Sequence, residues 1–218
     1  MNNISAILFD MNGVIIDDEH IHEHAFKKTV ATFGIDLDHQ SYLDCCAGKT
    51  DRAGYQSIAE KYQKSLPIDS LLIDKEKQYL ELFPTEKKSY PGIIECIHRL
   101  YKNYDLALTS SSNRVEVELI TGEFEIKQLF KVMVTGNDVN KGKPDPEPYL
   151  KTCNLLGINP RRAVVIEDSA SGVTSAITAG CKCIGITTTH SREQLLVNRP
   201  TDIINSFEAI TSDYLEKL

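Results

Sequence analysis

Polar side chains suited to binding and transferring a phosphoryl group follow several short apolar runs of the chain. They are the carboxylates, amide, hydroxyls and amine of Asp10, Asn12, Thr109, Ser110, Ser111, Lys143, Glu167 and Asp168. Carboxylate and carbonyl oxygens are the ligands that Mg²⁺ prefers, and a carboxylate beside such a cation can attack phosphorus. A lysine and hydroxyl groups can neutralise the phosphoryl oxygens. These residue types therefore predict phosphate chemistry, provided that the fold brings them together.

The apolar runs alternate with helical patterns, which is typical of an α/β fold. Strands are predicted over residues 4–9, 104–109, 132–135, 163–166, 183–187 and 202–204, and helices over 93–101, 115–125, 147–156 and 172–179. The predicted architecture is a doubly wound, mainly parallel sheet. Ligands of such sheets lie beyond the carboxyl ends of the strands, where the polar residues fall. Ser110 and Ser111 also lie at a predicted helix start, where free N–H groups favour phosphate.

The stretch from residue 17 to residue 87 has no convincing buried strand, and its apolar residues recur at helical spacing. Helices are predicted over residues 17–33, 51–64 and 69–83, and Gly34 ends the first of them. We therefore predict an α/β core domain of residues 1–16 and 88–218. An all-helical domain of residues 17–87 is inserted after its first strand.

The composition limits the partners that we expect. The 218 residues are 41% hydrophobic and carry a formal net charge of −7. This acidic balance argues against binding to nucleic acid or to an anionic membrane surface. The six cysteines form no CxxC motif, which predicts reduced thiols. Because no apolar run is long enough to span a membrane, we expect a soluble cytoplasmic protein.

Four segments resemble, in order, the signature motifs of the haloacid dehalogenase superfamily. They are Phe9–Val14 (FDMNGV), Leu108–Ser112 (LTSSS), Gly142–Glu147 (GKPDPE) and Val165–Ser169 (VIEDS). The helical insertion is similar to the small cap of the β-phosphoglucomutase and phosphoglycolate phosphatase branch. One motif alone is a weak indication, but four in order with the insertion are specific. The resemblance implies a Rossmann-like core, a helical cap domain and a monomer.

The resemblance also implies a role for each matching residue. Asp10 matches the nucleophile that becomes phosphorylated, and Ser110 matches the hydroxyl that binds the phosphoryl group. Lys143 matches the lysine that pairs with the nucleophile and the phosphate. Glu167 and Asp168 match the acidic pair that binds Mg²⁺. The cofactor implied is therefore Mg²⁺, with Asp10 and the main-chain carbonyl of residue 12 as further ligands.

Asn12 departs from the family pattern. Phosphatases and mutases of the family carry a second aspartate at this place, which protonates the leaving oxygen and then activates water or the second acceptor. An amide cannot donate and recover a proton in this way, and loss of such help costs about 10²–10⁴ in rate. Three explanations stay open: an introduced Asp→Asn change, a naturally weak or inactive relative, or a proton supplied by another group.

The insertion carries candidates for substrate binding. His22 lies twelve residues after Asp10, and a histidine at this offset reaches the active site in the β-phosphoglucomutase branch. Lys49 and Arg52 lie in a segment that resembles the cap loop of that branch, although their register differs from its motif.

Three functions follow from these observations. The leading hypothesis is a Mg²⁺-dependent phosphohydrolase that acts on a small phosphorylated metabolite through an aspartyl-phosphate, with activity impaired by Asn12. The second is a phosphomutase like β-phosphoglucomutase. The third is a non-catalytic protein that binds a phosphorylated metabolite.

Overall fold

The computed structural model describes residues 4–218, which divide into two compact units. Within these residues, one unit comprises 4–16 and Ser89–Leu218, and the other comprises Asp17–Lys88. The first is an α/β unit and the second is all-helical. In the described part of the chain, no helix combines the length and the apolar character that a membrane span requires.

A six-stranded parallel sheet forms the centre of the α/β unit. Its strands are β1 (Ala6–Phe9), β2 (Asp105–Thr109), β3 (Val132–Val134), β4 (Ala163–Glu167), β5 (Lys182–Ile186) and β6 (Asp202–Ile204), in the order β3-β2-β1-β4-β5-β6. All five pairings are parallel. The central strands β1 and β4 are buried throughout, as continuous apolar runs predict. The predicted α/β class is confirmed, and the sheet is wholly rather than mainly parallel.

The strand register aligns the carboxyl ends of three neighbouring strands. Phe9, the last residue of β1, pairs with Leu108 of β2 and with Ile166 of β4. Residues that directly follow these positions therefore meet at one edge of the sheet, which is where ligands of parallel sheets bind.

The helices are α1 (Glu19–Ala31), α2 (His39–Cys45), α3 (Asp51–Tyr62), α4 (Ile68–Glu86), α5 (Ile93–Tyr101), α6 (Arg114–Glu123), α7 (Glu147–Leu156), α8 (Ala170–Thr178), α9 (Arg192–Leu196) and α10 (Ser212–Glu216). Helix α7 ends at Gly157 in the left-handed conformation (φ 68°), where glycine carries no steric penalty. Tyr149 and Cys153 of α7 and Val173 of α8 pack on one face of the sheet. All six cysteines are buried free thiols.

Helices α1 to α4 form the helical unit around a core that includes Phe26, Tyr42, Tyr55 and Leu71. The sequence predicted three of these helices and missed α2. This seven-residue helix begins after Asp38, whose carboxylate accepts a hydrogen bond from the backbone N–H of Ser41 at 2.7 Å. Such an N-cap stabilises a helix too short to show a clear apolar period.

A buried polar cluster lies inside the helical unit and consists of Asp18, His22, Asp51, Lys75 and Tyr79. Lys75 is fully buried, and its Nζ lies 2.8 Å from His22 Nδ1 and 2.8 Å from Asp51 Oδ2. His22 Nε2 lies 3.3 Å from Asp18 Oδ2, which also accepts a hydrogen bond from the Tyr79 hydroxyl at 2.6 Å. A buried ammonium is tolerated only when partners of this kind compensate its lost hydration.

Replacing Asp51 with alanine is expected to lower the free energy of unfolding by about 3 kcal/mol, because a fully buried ammonium loses a carboxylate partner. The matched control is Asp69→Ala, which breaks the exposed ion pair with Arg52 and should leave stability nearly unchanged. Urea denaturation of both variants measures the difference. Equal losses in the two variants would contradict a stabilising role of the polar cluster.

Candidate active site

Lys143 joins the carboxyl ends of three strands. Asp10 directly follows β1, and its Oδ1 lies 2.5 Å from Lys143 Nζ. The same ammonium donates to Glu167 Oε1 at 2.7 Å and to the carbonyl oxygen of Thr109 at 3.1 Å. Its side chain is only 4% exposed. The loop after β3 thus places one buried positive charge between the acids that follow β1 and end β4.

Burial and charge pull the pKa of Asp10 in opposite directions. Burial raises the pKa to about 7, with the negative charge of Glu167 acting in the same sense, while the positive charge of Lys143 opposes both. Burial alone would lower the pKa of Lys143, but the carboxylates of Asp10 and Glu167 outweigh it and raise this pKa. Lys143 therefore stays charged and favours the anionic form of Asp10, which is the form that attacks phosphorus.

Glu167 is a fully buried carboxylate whose two oxygens both accept hydrogen bonds. Its Oε1 accepts hydrogen bonds from Lys143 and, at 2.9 Å, from the Tyr149 hydroxyl. Its Oε2 accepts from the backbone N–H groups of Asp168 and Ser169, both at 3.1 Å, and from Ser169 Oγ at 3.0 Å. Burial raises the pKa of Glu167, but Lys143 and these donors lower it below its ordinary value. The side chain is thus a fixed, charged partner for Lys143.

Asp168 completes an acidic cluster with Asp10 and Glu167. One oxygen from each carboxylate lies within 4.8 Å of the others, and all three residues are buried. Burial and the charges of Glu167 and Asp10 raise the pKa of Asp168 well above its ordinary value. One lysine does not balance three carboxylates, so the cluster fits an oxygen-preferring divalent cation. Thr189 Oγ1 donates to Asp168 Oδ2 and orients this carboxylate.

Hydroxyl groups from the loop after β2 hold the amide of Asn12. Ser112 Oγ donates to Asn12 Oδ1 at 2.9 Å, and Ser110 Oγ donates to the same oxygen at 3.4 Å. The backbone N–H of Ser112 in turn donates to Ser110 Oγ at 3.1 Å. Ser110 is buried and Ser111 is half-buried. The loop therefore presents hydroxyls beside the residue that departs from the family pattern.

The expected placement of the serines at a helix start is wrong. Helix α6 begins at Arg114, and its N-cap is Asn113, whose side chain accepts from the backbone N–H of Glu116 at 2.9 Å. Ser110 and Ser111 lie in the loop before this cap. A phosphate bound at this loop would therefore meet the serine hydroxyls and the loop backbone rather than the N–H groups of the first helical turn.

The three candidates from the insertion make polar contacts within the helical unit. His22 belongs to the buried polar cluster and is not a solvated helix residue. Lys49 Nζ donates to the carbonyl oxygen of Asp44 at 3.0 Å, and Arg52 Nη2 lies 2.6 Å from Asp69 Oδ1. A role of His22, Lys49 and Arg52 in substrate binding stays a prediction from the sequence.

Sequence reasoning missed several partners of the acidic cluster. Thr189 lies three residues after the end of β5, so the rule used for the other strands would have found it. Ser169 has a local indication as well, because it is the N-cap of α8 and follows the acidic pair. Tyr149 gave no indication, since it has the spacing of an ordinary core residue of α7.

Comparisons with known proteins identify the family of the chain. The family model described as haloacid dehalogenase-like hydrolase matches residues 7–186. A phosphorylated carbohydrates phosphatase from Thermotoga maritima is 29% identical over 182 residues, covering 83% of this chain and 84% of the relative. The validoxylamine A 7'-phosphate phosphatase of Streptomyces hygroscopicus subsp. limoneus is 29% identical over 189 residues, covering 86% and 88%.

A solved structure extends the similarity to three dimensions. CbbY from Rhodobacter sphaeroides, in complex with phosphate, superposes with a TM-score of 0.86 at 27% identity, covering 98% of this chain and 99% of that one. The resemblance that the four motifs carry is thereby confirmed. With its parallel sheet, its lysine between two acids and a family match over most of its length, the chain belongs to the haloacid dehalogenase-like hydrolases.

Proposed function

We propose that this chain is a Mg²⁺-dependent phosphohydrolase that acts on a small phosphorylated metabolite through an aspartyl-phosphate at Asp10. The observation that carries this proposal is the contact of Lys143 Nζ with Asp10 Oδ1 at 2.5 Å beside two further buried acids. The arrangement supplies an anionic nucleophile and a cationic group for the phosphoryl oxygens. Relatives named as phosphatases of phosphorylated carbohydrates and validoxylamine A 7'-phosphate support the same reaction type.

Asp10 attacks phosphorus in the first step, and the bond from phosphorus to the leaving oxygen breaks. Lys143 keeps Asp10 anionic before the attack and neutralises phosphoryl charge as it develops. Ser110 donates a hydrogen bond to a phosphoryl oxygen. Water then attacks the phosphorus of the intermediate, which releases phosphate and regenerates the Asp10 carboxylate.

In this proposal Asp10 and Asp168 would hold Mg²⁺ through their carboxylates, together with the main-chain carbonyl of Asn12. The bound cation would supply further neutralisation of the phosphoryl charge. Glu167 already accepts five hydrogen bonds, which exceeds the roughly four lone-pair sites of a carboxylate. It therefore contributes negative charge and the position of Lys143 rather than a further ligand atom.

The test is phosphoryl incorporation at Asp10. The protein is incubated with Mg²⁺ and a panel of phosphoryl donors, and intact and peptide mass spectrometry locates one added phosphoryl group. We expect the group on Asp10, with none in the Asp10→Asn variant or after chelation of Mg²⁺. Asp17→Asn, which changes a partly exposed acid of the helical unit, should still be labelled. Labelling that persists in Asp10→Asn, or its absence with every donor, would refute the proposal.

A further inference from the structure

The residue two places after the nucleophile is an amide that is fixed by hydroxyl groups. Ser112 Oγ and Ser110 Oγ both donate to Asn12 Oδ1, so this oxygen faces the serine loop. A carboxamide does not give up or take up a proton near neutral pH. Asn12 therefore offers the departing oxygen of a substrate hydrogen bonding at most, and never a proton.

The ionisable groups of the acidic cluster are already committed to other contacts. The three protons of the Lys143 ammonium are directed to Asp10, Glu167 and the carbonyl of Thr109. Asp10 is the nucleophile, and Glu167 is surrounded by five donors. Each of these three groups therefore has another role, and the proposed function assigns Asp168, the remaining acid of the cluster, to the cation.

Histidine is the other common proton donor, and the α/β unit contains two. His190 Nδ1 lies 2.9 Å from Thr189 Oγ1, the hydroxyl that binds Asp168. Its Nδ1 is therefore engaged with the hydroxyl that orients Asp168. His98 lies in the last turn of α5, a helix that packs on the turn Phe207–Ala209.

We propose that this site takes phosphoryl donors whose leaving group departs without a proton: acyl phosphates and phosphates of acidic hydroxyls, rather than phosphate esters of simple alcohols. This inference rests on the proposed function and names its substrate class. The conjugate acid of a carboxylate leaving group has a pKa of about 4, whereas an alkoxide is nearly as basic as hydroxide. Only the second needs a general acid.

The transfer balances without an acid. A bond forms between an Asp10 oxygen and phosphorus, and the bond from phosphorus to the acyl oxygen breaks. The acyl oxygen keeps the electron pair and leaves as a carboxylate. In the second step water attacks phosphorus, the bond to Asp10 breaks, and the proton of water passes to a phosphate oxygen. Because Asn12 does not remove that proton, the aspartyl-phosphate decays slowly and accumulates.

The experiment compares acetyl phosphate with glycerol 3-phosphate, for this chain and for Asn12→Asp, in the presence of Mg²⁺. Amide and carboxyl have the same shape, so the variant is a matched control for proton donation. We expect the ratio of kcat/KM for acetyl phosphate to kcat/KM for glycerol 3-phosphate to be about 10²–10⁴-fold larger with Asn12 than with the aspartate. Phosphorylated Asp10 should accumulate only in the Asn12 protein.

A series of substituted phenyl phosphates gives a second measurement that requires no variant. The rate of phosphoryl transfer to Asp10 should rise steeply as the pKa of the phenol falls. A flat series, or an unchanged ratio in Asn12→Asp, would overturn the inference while leaving the phosphohydrolase proposal intact. Absence of Asp10 phosphorylation from every donor would overturn both, and mass spectrometry separates these results.

Discussion

Replacing Lys143 with methionine is expected to lower kcat/KM for the best phosphoryl donor by about 10³-fold. Methionine keeps the length and apolar volume of the side chain but removes the ammonium that Asp10 and Glu167 share. The pKa of Asp10, already raised to about 7 against the opposing charge of Lys143, would rise further. A larger fraction of the nucleophile would then be protonated at neutral pH. The loss therefore has two electrostatic causes: fewer Asp10 side chains are anionic, and the phosphoryl charge that develops in the transfer is not neutralised.

The pH profile distinguishes this origin from simple unfolding. In Lys143→Met the acidic limb of kcat/KM should move to higher pH, because the lysine lowers the pKa of Asp10 in the native protein. Lys141→Met is the matched control. Its side chain is in the same loop but is 73% exposed, and its Nζ lies 3.7 Å from Asp145 Oδ2. Because it does not contact the acidic cluster, the substitution should leave activity unchanged. Equal activity of both variants would contradict the role of Lys143.

The assembly of the acidic cluster was predictable because the rule behind it is geometric. Parallel strands bring their carboxyl ends to one edge, so residues far apart in sequence, such as Asp10 and Glu167, needed only correct strand assignment to be placed together. The apolar runs of β1 and β4 made that assignment straightforward. The same reasoning would have included Thr189 after β5.

Other features depend on packing that no local pattern encodes. Lys75 has the sequence surroundings of an ordinary surface residue of α4, yet it is fully buried beside His22 and Asp51. Tyr149 is a core residue by its spacing, and its hydroxyl reaches Glu167 only because α7 packs against the sheet. A side chain with one polar atom at its tip reveals its partner only in three dimensions.

The position of the Glu167 carboxylate also depends on the close approach of helix α8, which is possible because residue 172 is a glycine. Gly172 is buried in the first turns of α8, and its N–H donates to Ser169 Oγ at 3.0 Å. A Cβ atom at this position would overlap the carboxylate of Glu167. That carboxylate is the end of a flexible side chain, but five hydrogen bonds fix it, so either these bonds break or α8 moves.

Gly172→Ala is therefore expected to destabilise the protein by about 3 kcal/mol and to lower phosphoryl transfer by about 10²-fold, because displaced Glu167 no longer positions Lys143. The matched control is Gly122→Ala in α6, where an added Cβ meets no atom within 4 Å. Both changes reduce the freedom of the unfolded chain equally, and the control should gain up to about 1 kcal/mol. Urea denaturation and initial rates measure the pair. If both alanines stabilise and neither slows transfer, the Glu167 carboxylate is free to move, and the rigid placement of Lys143 on which the proposed chemistry depends is wrong.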